Sequence, residues 1–234
     1  MAETLEKEWS LGASDRIELI ATIVMAAAAI LTAWAAFQSA KWSGVQSIEF
    51  SRANGARVES TRFDTRAGQL AAIDVDVFLA WLEAVSDEVR SGEVVLEPGG
   101  SFQQTEGTLS TFFYDRMRDE FRPALDAWLD TRPLEDPGAP RTPFEMDQYV
   151  LSDALEAQRR LDEAKGHTDQ ALTANQNSDN HVLTAVALAL AIFFAGISSK
   201  LEAIRNRKLA ITMAVIIFAA AGSVLAFLPK VNPF

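Results

Sequence analysis

Cysteine is absent from the 234 residues, and histidine occurs only at His167 and His181. A chain without cysteine has no disulfide framework, no thiolate metal site and no cysteine nucleophile. The two histidines lie about four helical turns apart, too far to share a metal from one helix. The sequence has no phosphate-binding loop, GxSxG or HExxH motif. We therefore expect no enzyme activity, no catalytic residue, no cofactor and no metal.

Ionisable side chains are missing from three apolar runs, residues 19–37, 182–197 and 209–229. A helix needs about 20 predominantly apolar residues to cross a bilayer. The second run reaches that length only when Asn180, His181 and two serines at 198–199 lie at the interfaces. Three transmembrane helices, and so an integral membrane protein, are predicted. The first run exceeds the roughly 7–15 apolar residues of a cleaved signal peptide, so we interpret it as a retained signal anchor.

The formal net charge is −11, and its distribution predicts an orientation. Residues 41–180 hold 14 Lys or Arg and 26 Asp or Glu, an acidity that argues against a nucleic-acid partner. The link between the second and third spans is basic, which marks it as cytoplasmic. Its four cations are Lys200, Arg205, Arg207 and Lys208.

These features divide the chain into seven segments. The predicted layout is a cytoplasmic N-terminal segment (1–17), transmembrane helix 1 (18–39), an extracytoplasmic helical stalk and cap (40–180, with the cap at about 91–144), transmembrane helix 2 (181–198), the basic cytoplasmic link (199–208), transmembrane helix 3 (209–229) and an extracytoplasmic tail (230–234).

The polar middle also has helical periodicity. No proline interrupts the chain from Asp15 to about Val89, which favours one helix that continues out of the membrane. A helix over Leu109–Asp130 is expected to be kinked or divided at Pro123, and a last helix is expected to begin near Pro143. The predicted apolar positions of the first helix are Val45, Ile48, Val58, Phe63, Leu70, Val77 and Trp81.

The last helix carries a heptad pattern of mostly small residues. It predicts an antiparallel helical hairpin, coiled-coil-like and closed by a small helical cap, in an all-α protein. Packing within one chain and self-association between chains both remain open for this seam. The seam positions are Val150, Ala154, Ala157, Leu161, Ala164, Thr168, Ala171, Asn175, Ser178 and Val182.

Polar residues cluster where the spans leave the membrane. Asn175, Asp179 and His181 lie at the mouth of the second span, and Gln38 lies at a similar depth after the first. They act either as interfacial capping groups or as rings around the entrance of an oligomeric pore, with Asn175 also able to fix register. Small-residue stripes within the spans favour homo-oligomerisation. These stripes are Thr22, Ala26, Ala29, Ala33 and Ala36; Ala187, Ala191 and Ala195; and Ala219, Gly222 and Ala226.

Four segments carry a family resemblance: DRIEL, TAWAAFQSAKWSG, EFRPALDAWLDTRPLEDPGAPRTPFEMDQYVL and NQNSDNHVLTAVALALAIFFAGISSKL. With them the chain resembles a family of bacterial inner-membrane proteins of unknown function. The resemblance implies a bacterial source, the inner (plasma) membrane and three spans. It implies no activity and transfers no functional residues.

Three functions remain as expectations. The first is a non-catalytic, homo-oligomeric envelope scaffold or interaction module, with membrane lipids, further copies and an envelope protein as partners. The second is an oligomeric ion channel with an acidic outer vestibule. The third is a transmembrane sensor that passes a signal from the cap to the basic link.

Overall fold

The computed structural model describes residues 13–94, 104–133 and 135–232, and within them the chain is helical and contains no β-strand. The predicted all-α class is thus confirmed for these residues. Residues 1–12 of the expected N-terminal segment, 95–103 and 134 of the expected cap, and 233–234 of the tail lie outside the described residues. The elements are α1 (Ala13–Ser91), α2 (Leu109–Tyr114), α3 (Arg122–Asp130), a 3₁₀ turn (Pro143–Glu145), α4 (Ser152–Ser198) and α5 (Ile204–Phe227).

The chain divides into two compact units. The first, here called the apolar unit, comprises Met1–Ala53 and Lys165–Phe234; the second, the polar unit, comprises Asn54–Ala164. Helices α1 and α4 each contribute residues to both units. Three helices, α1, α4 and α5, are long and apolar enough to cross a membrane by length and composition.

Alanine forms much of the buried surface in the apolar unit. On α1 the buried alanines Ala21, Ala28 and Ala35 recur every seven residues, so they share one face. They pack in two clusters with residues of α4 and α5, among them Ala195 and Leu188. Small side chains let helix backbones approach closely, which is the main source of helix association in lipid.

The polar unit contains an aromatic core. It is formed by the end of α1, the turn after α2, and α3, and its rings pack in stacked and edge-on pairs. Phe144 of the 3₁₀ turn stacks on Phe121 with ring centroids 5.1 Å apart. The buried members are Phe78, Trp81, Val85, Met117, Phe121, Leu125 and Trp128.

Local chemistry explains where two helices of the polar unit begin. The helix predicted over Leu109–Asp130 is two helices, and Pro123 lies in the first turn of α3. Proline is tolerated there because first-turn N–H groups have no partner within the helix. Helix α4 begins at Ser152, so the predicted start near Pro143 is wrong. There the chain forms only the short 3₁₀ turn, after which Met146 is extended.

Helices α1 and α4 are antiparallel neighbours within each unit. In the polar unit, Ser60 Oγ donates to the Ala157 carbonyl at 2.8 Å, and Arg66 Nε lies 3.1 Å from an Asp153 oxygen. In the apolar unit, the hydroxyls of Ser39 and Ser178 are 2.9 Å apart. Residue numbers rise along α1 as they fall along α4, which is the antiparallel arrangement.

The contact between α1 and α4 is made by smaller residues than the apolar pattern predicted. On α1 the buried positions include Ala53, Ala56 and Ala67, whereas Ile48 and Val58 are 54% and 67% exposed. Alanine fits between closely spaced helices, so Ile48 and Val58 point away from the contact, whereas Trp81 is buried in the core of the polar unit as predicted.

The predicted seam of α4 is buried only in part. Ala157, Ala164, Ala171 and Ser178 are buried, whereas Val150, Ala154 and Val182 are exposed. Where the pattern predicted Asn175 and Val182, the buried residues are instead Ala174 and His181. These two residues are also seven apart, so this position of the heptad was assigned one residue too late.

The aromatic core provides a matched test of burial. Phe121→Ala removes a fully buried ring and should lower the free energy of unfolding of the polar unit by about 3–5 kcal/mol. Phe112→Ala removes a ring that is 45% exposed and contacts Arg116 and the edge of Phe113, and should cost about 1 kcal/mol. Denaturant unfolding in detergent, followed by tryptophan fluorescence, measures both; equal losses would contradict this assignment of the core.

Candidate functional site

Two fully buried polar side chains of the apolar unit meet where the apolar helices end. Gln38 on α1 and His181 on α4 are both fully buried, and both contact the segment that follows α5, residues 228–232. We call this arrangement the tail junction; it comprises Gln38, Ser39, Trp42, Ser43, Ser178, His181 and residues 228–232.

Gln38 holds the tail through both halves of its amide. The Val231 N–H donates to Gln38 Oε1 at 2.9 Å, and Gln38 Nε2 donates to the Val231 carbonyl at 3.3 Å. One side chain therefore satisfies both backbone polar groups of one residue, as a neighbouring β-strand would. Since a buried amide without partners is costly, this pairing fixes the tail position.

Pro229 supplies the second attachment point. Its carbonyl accepts from Trp42 Nε1 at 3.1 Å and from His181 Nε2 at 2.9 Å. A carbonyl can only accept, so His181 must carry its proton on Nε2. Its Nδ1 is then a bare acceptor, and this atom is buried and finds no hydrogen-bond partner among the described residues.

Three serines join α1 to α4 beside the tail. The Ser178 hydroxyl lies 2.9 Å from that of Ser39 and 3.0 Å from that of Ser43. It also donates to the Ser39 carbonyl at 3.1 Å. These short hydroxyls bridge closely packed helices at the point where the apolar faces give way to polar ones.

The structure separates the four predicted mouth residues into two pairs. Gln38 and His181 come together through the tail, whereas Asn175 and Asp179 lie outside the junction. Asn175 Nδ2 donates to Asp179 Oδ2 at 3.1 Å along one face of α4, and Asp179 is exposed.

Sequence reasoning missed the roles of two side chains and of the tail. Ser178 was predicted only as a seam position, and no contact with the tail was predicted for Trp42. A signal was present, since Gln38 follows Ala35 by three residues and so continues the alanine face of α1. The tail gave no signal, because nothing in residues 228–232 specifies a partner.

The four cations of the basic link have two different environments. Lys200, Arg205 and Lys208 are exposed. Arg207 is half-buried, and its Nε donates to the carbonyl of Ser198, the last residue of α4, at 3.1 Å. A cation there satisfies a terminal carbonyl and interacts favourably with the helix dipole.

Within the described residues, two of the three buried carboxylates, one in each unit, form further clusters; the third, Glu88, accepts from the N–H and the hydroxyl of Ser110. In the apolar unit, Glu49 lies 2.6 Å from His167 Nδ1 and accepts from Arg52 at 2.7 Å. In the polar unit, Asp74 accepts from Arg118 Nε and from the Tyr149 hydroxyl, each at 3.1 Å. Each buried carboxylate therefore has a charged or polar partner within its own unit.

The Asp74 cluster continues to the start of α4. Arg118 also pairs with Glu120, and Glu120 accepts hydrogen bonds from the hydroxyl and the N–H of Ser152, the first residue of α4. Burial raises the pKa of Asp74 above its usual value, although Arg118 and Tyr149 act in the opposite direction. The Ser152 hydroxyl is the main cause that lowers the pKa of Glu120.

These contacts describe an all-helical protein with three membrane-length apolar helices, whose buried polar groups hold its own chain together. No group of three or more His, Asp and Glu side chains within the described ranges is placed to hold a metal ion. Comparison with protein-family models, with curated proteins and with solved structures finds no match.

The tail junction can be tested with a reporter cysteine, because the chain has no native one. Gln38→Leu removes both bonds to Val231, at about 0.5–1.5 kcal/mol each, and should expose the tail about 5- to 150-fold more often. The rate at which a maleimide labels Val231→Cys measures this exposure. Gln176→Leu is the control, since the exposed Gln176 bonds only along its own helix. Equal rates in the two variants would contradict the junction.

The carboxylates linked by Arg118 should show opposite pH dependence. Asp74 has a raised pKa, so its contribution to the free energy of unfolding decreases as pH rises above its ordinary pKa of 3.8. Glu120 has a lowered pKa, so its contribution is present above its ordinary pKa of 4.5 and is lost as pH falls below that value.

Thermal unfolding between pH 3 and pH 7 separates these contributions. As pH rises, the wild type should lose stability relative to Asp74→Asn. Over the same range, the wild type should gain stability relative to Glu120→Gln. Parallel pH profiles for the two differences would contradict the assignment.

Proposed function

We propose that this is a non-catalytic, homo-oligomeric protein of the bacterial inner membrane that acts as an envelope scaffold or interaction module. The observation that carries the proposal is an exposed surface of small residues. In the first apolar segment, the stripe Thr22, Ala26, Ala29, Ala33 and Ala36 is exposed in the single chain, while packing within the chain uses Ala21, Ala28 and Ala35.

A second surface of this kind supports the same conclusion. Ala219 and Ala226 of α5 are exposed, whereas Ala191 and Ala195 of α4 are buried within the chain. In lipid, apolar side chains gain little by leaving the bilayer, and close packing through small residues drives association. Small stripes on two helices are thus left for contacts with other copies.

The hairpin and the cap are part of the proposal. Antiparallel contacts between α1 and α4 are compatible with a coiled-coil-like stalk, and the aromatic core of the polar unit is compatible with a small cap. The stalk and cap would be extracytoplasmic and the basic link cytoplasmic, following the distribution of Lys and Arg. An envelope protein and membrane lipids remain the proposed partners.

The burial of Gln38 and His181 favours a scaffold over an ion channel. A pore entrance needs polar groups that face the permeant ion. In this chain both side chains are buried and bonded to the tail. Asp179 remains exposed, so a conductance measurement in liposomes is the direct check on the channel alternative.

Native mass spectrometry of the protein in detergent or nanodiscs tests the proposal. We expect a particle of two or more chains, and we expect Ala29→Leu together with Ala33→Leu to shift it towards the monomer, because the added side chains keep helices apart. Ala189→Leu is the matched control: Ala189 is exposed in the second span and lies outside the small stripes. A monomeric wild type would overturn self-association.

A further inference from the structure

One exposed line along α1 in the polar unit contains no charged residue. Its ten positions follow each other in alternating steps of three and four, and every one is exposed. Leu79 is 55% exposed, Leu82 41% and Val89 40%. We call it the α1 line; it consists of Val58, Thr61, Thr65, Gly68, Ala72, Val75, Leu79, Leu82, Ser86 and Val89.

The absence of charge is specific to this line. Moving each position by one residue towards the C-terminus gives a line with seven charged residues among its ten: Glu59, Arg62, Arg66, Asp76, Glu83, Asp87 and Arg90. The residues that directly precede Val75 and Leu82 face contacts within the unit: Asp74 binds Arg118, and Trp81 belongs to the aromatic core. The uncharged line is therefore neither packed in the chain nor typical of the surface beside it.

The spacing identifies the shape of what would cover the line. Steps of three and four average 3.5 residues, the repeat of two helices that supercoil around each other, whereas an isolated surface helix has a repeat of 3.6. Single exposed apolar residues are common on protein surfaces. Ten consecutive uncharged positions at the coiled-coil repeat instead indicate a partner helix with the same repeat.

We propose that the α1 line is the surface on which a second copy of this chain docks, as a parallel two-stranded coiled coil. The inference rests on the proposed self-association and specifies its surface. Copies inserted in one membrane share an orientation, and α1 runs unbroken from its apolar segment into the polar unit. Two α1 helices would then be parallel, at the high effective concentration that a shared membrane provides.

In that arrangement each residue of the line faces its own equivalent. Leu79 and Leu82 would each pack against the same residue of the second copy, as apolar residues do at the core positions of a heptad. Gly68 and Ala72 would allow close approach in the middle of the line. Thr61 and Thr65 would pair through their hydroxyls near its start.

Single cysteines test the surface directly, because the chain contains none. Leu79→Cys and Leu82→Cys are placed on the line, and Asp76→Cys and Asp87→Cys are controls on exposed positions beside it. Each full-length variant is oxidised in native membranes, and disulfide-linked dimers are counted on a denaturing gel. Since a disulfide requires Cβ atoms about 3.5–4.5 Å apart, we expect about tenfold more dimer from the line than from the controls.

The other outcomes distinguish an error in the contact surface from an error in the oligomeric state. Equal crosslinking at all four positions would indicate random collision and overturn the inference. A crosslinked band that does not have twice the mass of the chain would identify another protein and overturn the second copy as occupant. If no variant crosslinks but the native mass is that of an oligomer, the α1 line is not the contact surface, although self-association stands. A monomeric native mass would overturn both the surface and the self-association.

Discussion

The constraint on which the structure depends is that a hydrocarbon environment offers no hydrogen bonds and gives apolar side chains little reason to associate. Backbone groups must then be bonded within helices, and helices must pack through small side chains. Both consequences appear in the apolar unit, where α1, α4 and α5 are long apolar helices and the buried face of α1 is a series of alanines seven residues apart. The same rule forces polar contacts to the ends of the apolar segments, which is where Gln38 and His181 lie.

The tail junction shows how those ends are satisfied. The backbone after α5 leaves its helix and needs partners, and Gln38, Trp42 and His181 provide them. A similar contact lies at the other end of α4, where Arg207 donates a hydrogen bond to the terminal carbonyl of Ser198. In the polar unit, an aromatic core and the Asp74–Arg118 cluster hold the chain together instead.

Local patterns predicted the helices well and the contacts poorly. The apolar runs and the absence of proline placed α1 from Asp15 to about Val89, and it extends over Ala13–Ser91. The helix expected over Leu109–Asp130 is divided as predicted, but the break covers residues 115–121, and Pro123 lies in the first turn of α3. The pairing of Gln38 with Val231 joins residues 193 positions apart, and no periodicity encodes such a contact. The apolar pattern also misassigned Ile48 and Val58, because hydrophobicity alone does not show that alanine is the residue that fits a close helix pair.

The central claim is that three helices cross a membrane, so the polar middle and the basic link lie on opposite sides of it. Single cysteines at Gly166 and at Glu202, both exposed in the structure, can be labelled by a membrane-impermeant maleimide in right-side-out and in inverted vesicles. The account predicts that each site reacts in one kind of vesicle only and that the two sites react in opposite kinds. Labelling of both sites from the same side would contradict the three-span arrangement.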